Sequence, residues 1–276
     1  MHNIRRLAFI GGGNMASALI GGLTKRGLSR ERIVVADPSS EQTDRLVRDY
    51  GVIGAADNQS AAAGAEVVVL AVKPQQMRAV AIALAPHIVK ASPLIISVAA
   101  GIPYAALSRW FGGHANVVRT MPNRPALNGF GATGLYAPAA VGAAPRALAE
   151  AIMAAVSATV WVEHESQMDT VTALSGSGPA YFFLFMEALE AAAHARGLPS
   201  EVAHKLTLET AFGASQMARL SGDSLSALRE QVTSKGGTTA AALAVLDAAG
   251  LRAIVAHAVA AADRRSAELA AEYGSP

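Results

Sequence analysis

The feature that most constrains the fold is a glycine-rich turn placed directly after an apolar run. Residues Leu7–Ile10 are apolar, and residues 11–16 read GGGNMA before a helical stretch begins. The spacing of Gly11, Gly13 and Ala16 fits the pattern G-x-G-x-x-G/A. In that pattern the first glycine permits a tight turn, the second lets a pyrophosphate approach the backbone, and the third small residue keeps helix and strand close.

This turn predicts a dinucleotide-binding site, because free N–H groups at the start of a helix attract negative charge. We assign Gly11, Gly13, Asn14 and Met15 to the predicted cofactor site. The alternative is a glycine-rich turn without a ligand. The βαβ pattern that follows the turn favours the dinucleotide interpretation.

From residue 7 to about residue 163, short β-branched runs alternate with helical stretches, which is typical of a parallel sheet covered by helices. Val67–Val72 is apolar on both faces, as a central strand of such a sheet must be. The sequence therefore predicts an α/β domain with a Rossmann-type doubly wound sheet over residues 1–163. The strand candidates are Leu7–Gly11, Ile33–Asp37, Val67–Val72, Leu94–Val98, Ala115–Arg119 and Thr159–Val162.

After Val162 the β-branched runs stop, and segments rich in Ala, Leu and Met predict an all-α domain over residues 164–276. Pro179 suits a first helical turn, and Gly197 suits the end of that helix. Further helices are expected from Ser200 to about Leu220, from Thr238 or Thr239 to Gly250, and over roughly 251–272.

Composition excludes several classes of function. The net charge is only +2 and no dense basic stripe is present, which argues against a nucleic-acid partner. The chain has no cysteine, which excludes disulfides and thiol chemistry, and its seven histidines are too scattered to predict a metal site. No run of about 20 apolar residues predicts a membrane span. Arg5 and Arg6 before an apolar run resemble a signal peptide, but the glycines interrupt it, so we expect a cytoplasmic protein.

The end of the second strand candidate leaves the choice of cofactor open. Asp37 stands where an acidic side chain commonly binds the ribose hydroxyls, which favours NADH. Ser39 and Ser40 are placed to donate hydrogen bonds to a 2′-phosphate instead, which favours NADPH. Asp37 before Pro38 is also typical of a simple turn residue.

Loops that follow neighbouring strands at their carboxyl ends are the usual ligand-binding positions in open α/β sheets. Ala71, Val72, Lys73 and Pro74 follow one central strand candidate, and Ala99 lies in the segment Ser97–Gly101 after the next. We expect both loops beside the nicotinamide. Lys73 is either a catalytic cation or a solvated surface lysine.

Three further motifs are candidates for ligand contact. Arg119–Pro125 contains two prolines, which stiffen a loop. Ser175–Tyr181 is a glycine-serine helix start that serves either tight helix packing or substrate contact. Val232–Thr239 places two glycines and several hydroxyl groups at a helix mouth, where amides and hydroxyls form a nest for a carboxylate or phosphate. A simple helix cap needs fewer such residues.

Taken together, these motifs resemble those of the pyrroline-5-carboxylate reductases over nearly the whole chain. The glycine-rich turn, Ala71–Pro74 and Ser175–Tyr181 occur in that family's order. Met121-Pro122-Asn123 is a further shared motif, and Thr233–Leu246 carries the family's C-terminal signature. Two positions depart from the usual family residues, namely Arg124 and Lys235.

The resemblance implies reduction of 1-pyrroline-5-carboxylate to L-proline by NAD(P)H, in a homodimer or larger homo-oligomer built by the helical domain. By position, Asn58 is implied at the adenosine side of the cofactor, and Met121 and Asn123 belong to the same cofactor site. Ser234, Gly237, Thr238 and Thr239 are implied in binding the carboxylate of the cyclic imino acid. Family habit favours NADP(H), with NAD(H) as the alternative.

The threonine that matches Thr239 is implied as a proton donor. A protonated imine already accepts hydride, so the absence of an obvious acid-base pair agrees with this chemistry. Two other functions stay open from the residues. One is a β-hydroxyacid-type dehydrogenase, in which Lys205 is the candidate catalytic lysine. The other is a protein that senses NAD(P)H without catalysis.

Overall fold

One eight-stranded sheet organises the N-terminal part of the chain. A computed structural model describes residues 4–274. In the order β3-β2-β1-β4-β5-β6-β7-β8, each strand is hydrogen-bonded to its neighbours. The strands are β1 (Leu7–Ile10), β2 (Ile33–Ala36), β3 (Ile53–Gly54), β4 (Val67–Leu70), β5 (Leu94–Ser97), β6 (Val117–Pro122), β7 (Gly131–Tyr136) and β8 (Ser157–Trp161).

The parallel strands end at one common edge of the sheet. Ile10 at the end of β1 pairs with Ala36 at the end of β2 and with Leu70 at the end of β4. Leu70 in turn pairs with Ser97 at the end of β5. Strand order reverses between β1 and β4, and such a reversal opens a crevice at the carboxyl ends of the strands.

Both faces of the central strands are buried, as the continuous apolar runs predict. Along β1, Leu7 and Phe9 belong to one core cluster, whereas Ala8 and Ile10 belong to the cluster on the other face. This alternation follows the two-residue period of a strand. Phe9 and Ile10 have no exposed surface at all, so the end of β1 is a rigid support for the turn that follows.

The predicted Rossmann-type sheet is confirmed, with all six predicted strands present and two more. β3 was missed because it has only two residues, both exposed. β7 was missed because its sequence, GATGLY, contains two glycines. Packing requires glycine at position 134, since a methyl group there would lie 2.6 Å from Val171 Cγ1.

The sheet is not parallel throughout, because β7 pairs with β6 in the antiparallel sense. β8 is parallel to β7. The pairing of Pro122 with Thr133 also extends β6 beyond its predicted end at Arg119. Arg119–Pro122 is therefore strand rather than connecting loop.

Residues 4–274 contain twelve α-helices, and the helices predicted for the second half are present within a few residues of their expected ends. They are α1 (Asn14–Lys25), α2 (Ser40–Tyr50), α3 (Asn58–Ala62), α4 (Pro74–Ala91), α5 (Tyr104–Trp110), α6 (Ala143–Met153), α7 (Gln167–Val171), α8 (Gly178–Ala195), α9 (Ser200–Leu220), α10 (Leu225–Gln231), α11 (Thr238–Ala248) and α12 (Leu251–Gly274). A π-helical turn, Thr172–Gly176, follows α7.

The chain divides into two compact units. The first runs to Ser177 and also takes in the chain from Ala261 onward, and the second is Gly178–Ala260. The predicted boundary after residue 163 stays a prediction, and residues 1–3 and 275–276 of the predicted domains lie outside the described residues. Within 4–274, no single helix has both the length and the hydropathy of a membrane span, although α11 and α12 meet the criterion jointly across a 53° bend.

Candidate functional site

The glycine-rich turn lies at the point where the strand order reverses, and each of its glycines has a distinct environment. Gly11 has φ +100°, and its N–H donates to Ala36 O over 2.8 Å. A methyl group on Gly11 would lie 2.6 Å from Ala71 O, so only glycine fits between β1 and the β4 loop. Gly13 is the N-cap of α1. A methyl group there would have no protein atom within 4 Å, so Gly13 faces open space at the mouth of the helix.

The Asp37 carboxylate holds this turn in place. One oxygen accepts a hydrogen bond from Gly12 N over 2.7 Å, and the other accepts from Ser39 N over 2.8 Å. The bond from Ser39 N is the local turn interaction that the sequence analysis gave as the alternative to ribose binding by Asp37. Both oxygens are thus engaged by the main chain at the edge where a cofactor ribose is expected.

Sequence reasoning missed Arg45, which lies in α2 beside the turn. Its guanidinium Nη2 donates to Gly12 O over 3.2 Å. The N-cap of α2 is Ser39, whose hydroxyl makes no capping hydrogen bond. The Arg45 guanidinium therefore contacts the same turn that Asp37 holds, and the Ser39 hydroxyl follows Asp37 by two residues. In the sequence, such an arrangement is indicated by a basic residue in the helix that follows a strand with an acidic residue at its end.

The loop after β4 lies next to the end of β1, and the loop after β5 lies next to the end of β4. Ala71 N donates to Ile10 O over 2.7 Å, and Val98 N donates to Leu70 O over 3.1 Å. Lys73 is the exposed N-cap of α4, and Pro74 is the first residue of that helix. Ala99 is buried, with 9% of its surface exposed.

Met121 and Asn123 connect the end of β6 to the π-helical turn. The Asn123 Nδ2 donates to Ser175 O, and its Oδ1 accepts from Ala132 N, each over 2.9 Å. A methyl group on Gly176 would lie 2.6 Å from Met121 Cε, so Gly176 provides close packing. Turns of the π type occur often at functional sites.

Asn58 lies at the start of the short helix α3, which Asp57 caps. Asp57 Oδ1 accepts a hydrogen bond from Ser60 N over 2.7 Å. This bond is the main cause that lowers the pKa of the Asp57 carboxyl below its ordinary value. The cap fixes the main chain beside Asn58, which follows β3 at the same edge of the sheet as the glycine-rich turn.

In the second unit, the predicted substrate residues share one helix mouth. Gly237 is the N-cap of α11. Its N–H donates to Ser234 O over 3.0 Å, and Gly236 has φ +73°. A methyl group on Gly237 would lie 2.5 Å from Ser234 Oγ, so the serine side chain folds over this glycine. Helix geometry leaves the first N–H groups of α11, at Thr238 and Thr239, without intrahelical acceptors.

A buried ion pair next to the predicted cofactor loops was also missed. Arg119, only 7% exposed, forms a very short contact with Glu165 Oε1. The same oxygen accepts from Tyr104 N over 2.6 Å and so ties the start of α5 to β6. Burial, and next the Glu165 charge, raise the pKa of the Tyr136 phenol. Within 4–274 no three His, Asp or Glu side chains are grouped to hold a metal ion.

Two models of protein families match the chain. A model described as pyrroline-5-carboxylate reductase dimerisation matches residues 165–269. A model described as NADP oxidoreductase, coenzyme F420-dependent, matches residues 6–101. The first covers the helical region, and the second covers the strands that support the glycine-rich turn.

Individual relatives match along the full length. A pyrroline-5-carboxylate reductase of Pseudomonas aeruginosa is 49% identical over 269 residues, which are 98% of this chain and 98% of that protein. A solved pyrroline-5-carboxylate reductase from Coxiella burnetii has a TM-score of 0.93 at 43% identity, covering 97% of this chain and 99% of that one. A Plasmodium falciparum pyrroline carboxylate reductase, solved with NADP bound, has a TM-score of 0.86 at 30% identity, covering 98% and 99%.

Proposed function

Because this chain belongs to the pyrroline-5-carboxylate reductase family, we propose that it reduces 1-pyrroline-5-carboxylate to L-proline with NAD(P)H as the hydride donor. The observation that supports this function most directly is the 49% sequence identity, over 98% of each chain, to a reductase of that name. The two helix mouths supply the binding groups that the reaction needs, one for a pyrophosphate and one for a carboxylate.

The glycine-rich turn fits a dinucleotide. Gly13 has open space where a methyl group would lie, and the start of α1 presents N–H groups there. When bound, NAD(P)H supplies the hydride. The chain's own part is to hold the pyrophosphate at Gly13 and to enclose the nicotinamide with the β4 and β5 loops, Ala71–Pro74 and Ala99.

The mouth of α11 serves the substrate. The N–H groups of Thr238 and Thr239, with the Ser234 hydroxyl, are the donors that we assign to the carboxylate. We assign to the Thr239 hydroxyl the relay of one proton from solvent to the ring nitrogen, so that the nitrogen is protonated as hydride adds to the imine carbon and the hydroxyl keeps its own proton. An iminium carbon accepts hydride without further activation, so positioning accounts for most of the catalysis.

A steady-state assay tests the function. The purified full chain is mixed with NADPH or NADH and pyrroline-5-carboxylate, and the absorbance of the reduced nicotinamide is followed while L-proline is quantified. We expect proline to form in step with cofactor oxidation. If neither cofactor is oxidised with this substrate, the function is wrong.

For the choice of cofactor, we favour NADPH. Both Asp37 oxygens already accept main-chain hydrogen bonds, and the Ser39 hydroxyl makes no capping bond at the start of α2. Ser40 is the first residue of that helix, whose N-terminus favours a negative group. The family model over residues 6–101 also describes an NADP oxidoreductase.

Replacing Ser39 and Ser40 together by alanine is expected to raise the Kd of NADPH about tenfold, since hydrogen bonds to a charged phosphate are lost. The Kd of NADH should stay within about twofold, because NADH has no 2′-phosphate. Both constants are measured by nicotinamide fluorescence. Ser29→Ala is the matched control. Ser29 is the N-cap of the short 3-10 helix Arg30–Arg32 and also makes no capping hydrogen bond, but it precedes β2 and so lies at the opposite edge of the sheet from the glycine-rich turn. Equal weakening of both cofactors would contradict the assignment.

The protein forms a homo-oligomer, as the dimerisation model over residues 165–269 supports. We propose that helix α8 forms part of a homodimer interface. In the single chain Phe182 is 68% exposed, Phe183 63% and Leu184 67%, and such large apolar patches mark contact surfaces. A cytoplasmic location stays a prediction.

A further inference from the structure

The last turns of α12 belong to the first compact unit and not to the helical unit in which α12 begins. We define residues 266–274 as the C-terminal clamp. It starts at Ser266, which is only 5% exposed although serine is a polar residue. This part of the helix is therefore packed against the sheet domain rather than projecting from it.

Two side-chain hydrogen bonds anchor the helix on α7. Ser266 Oγ donates to Asp169 Oδ1 over 2.7 Å. One turn earlier, Thr170 Oγ1 donates to Asp263 Oδ1 over 2.7 Å. The two bonds run in opposite directions between the helices, so they fix the register of α12 on α7.

Beyond this anchor, the C-terminal clamp is bonded to Gln75 after the β4 loop and lies beside Gly101 in the β5 loop, the two loops that we place beside the nicotinamide. Gln75 Nε2, next to the Ala71–Pro74 loop, donates to Tyr273 OH over 2.8 Å. A methyl group on Gly101 in the β5 loop would lie 3.5 Å from Tyr273 Cδ2. Arg109 Nη2 donates to Gly274 O over 2.8 Å, which ties the end of the clamp to α5.

Tyr273 is the residue that joins the two loops. Its ring packs against the core cluster on this face of the sheet, and its hydroxyl accepts the bond from Gln75. β4 and β5 are neighbours in the sheet, and their carboxyl ends are aligned. Because its ring lies beside Gly101 while its hydroxyl accepts a hydrogen bond from Gln75, Tyr273 bridges the ends of the two loops.

We infer that Tyr273 is a positioning residue, which holds the β4 and β5 loops at the separation that the nicotinamide requires. The inference rests on the proposed function, because that function places the nicotinamide between these loops. Tyr273 touches neither reacting atom in this role. Its effect is on the alignment of the hydride donor, and misalignment by a fraction of an ångström slows transfer.

The test compares Tyr273→Phe with the wild-type full chain. Loss of one hydrogen bond is expected to lower kcat about threefold to tenfold. The isotope effect on kcat, measured with NADPH deuterated at the transferred position, should rise, because hydride transfer becomes more rate-limiting. Tyr273→Ala also removes the ring from Gly101 and should raise the Kd of NADPH about tenfold.

A double-mutant cycle separates positioning from general stability. Gln75→Ala, Tyr273→Phe and the double variant should lose similar activity, because each breaks the same bond. Arg265→Ala is the control, since its ion pairs with Glu268 and Glu272 lie on the solvent side of the same helix. It should leave kcat and the isotope effect unchanged.

Two results would overturn the role of Tyr273. One is a Tyr273→Phe enzyme with wild-type kcat and wild-type isotope effect. The other is lower activity with an unchanged isotope effect and a lower melting temperature, which indicates a purely structural contact. Failure of the proposed function is seen separately, because the wild-type protein would then not oxidise NADPH with pyrroline-5-carboxylate, whereas failure of the inference leaves wild-type activity intact.

Discussion

Replacing Gly13 by alanine is expected to weaken NADPH binding about tenfold to a hundredfold, since an added methyl group in a filled site costs roughly 1–3 kcal/mol. The free protein should be unaffected, because no protein atom lies within 4 Å of that methyl position. Gly13 also has φ −70°, which alanine adopts readily. The Kd from nicotinamide fluorescence and the urea midpoint of unfolding are the two measurements.

Gly11→Ala, two residues earlier in the same turn, is the matched comparison. There the methyl group would lie 2.6 Å from Ala71 O, and φ is +100°. We expect the free energy of unfolding to fall by at least about 2 kcal/mol before any cofactor is added. The assignment of Gly13 to the pyrophosphate is wrong if Gly13→Ala binds NADPH as tightly as the wild type.

Replacing Thr239 by alanine should lower kcat about a hundredfold, the usual loss when a proton donor is removed. Thr239 is in the first turn of α11, near Ser234 and Gly237 at the helix mouth. The glycine-rich turn is formed by β1 and α1, so the Kd of NADPH should stay within about twofold. Stopped-flow turnover and cofactor titration measure the two quantities.

Thr239→Ser is the control for this experiment, because it keeps the hydroxyl and should restore most of the activity. Thr238→Ala tests the neighbouring residue, for which we expect a raised KM for the substrate with little change in kcat. Parallel loss of turnover and NADPH affinity in Thr239→Ala would exclude a specific role in proton transfer.

The sheet domain was predictable where local pattern and tertiary structure agree. β4 is apolar at every position and is buried on both faces, so its sequence is sufficient. β7 lacks that signal, because Gly131 and Gly134 are required by neighbours that are distant in sequence, Ser157 and Val171. Its antiparallel direction also depends on pairing with β6, which no local pattern encodes.

The candidate site also contains residues that local sequence patterns indicate and residues that they do not. Gly11, Gly13 and the segment Ser234–Thr239 could be predicted as site candidates because the starts of helices have local sequence signatures. The bond between Gln75 and Tyr273 joins residues 198 positions apart, so nothing near either residue indicates the other. The same holds for Arg119 and Glu165, which are brought together only when the sheet is complete.

The two main-chain bonds to Asp37 affect how a ligand enters. Because the carboxylate accepts hydrogen bonds from the amides of Gly12 and Ser39 within the chain itself, we expect the loop to keep this shape when the cofactor binds. Little chain entropy is then lost on complex formation, and preorganised sites gain affinity in this way. If the cofactor binds here as proposed, we therefore expect this end of the site to accept it without rearrangement of the loop.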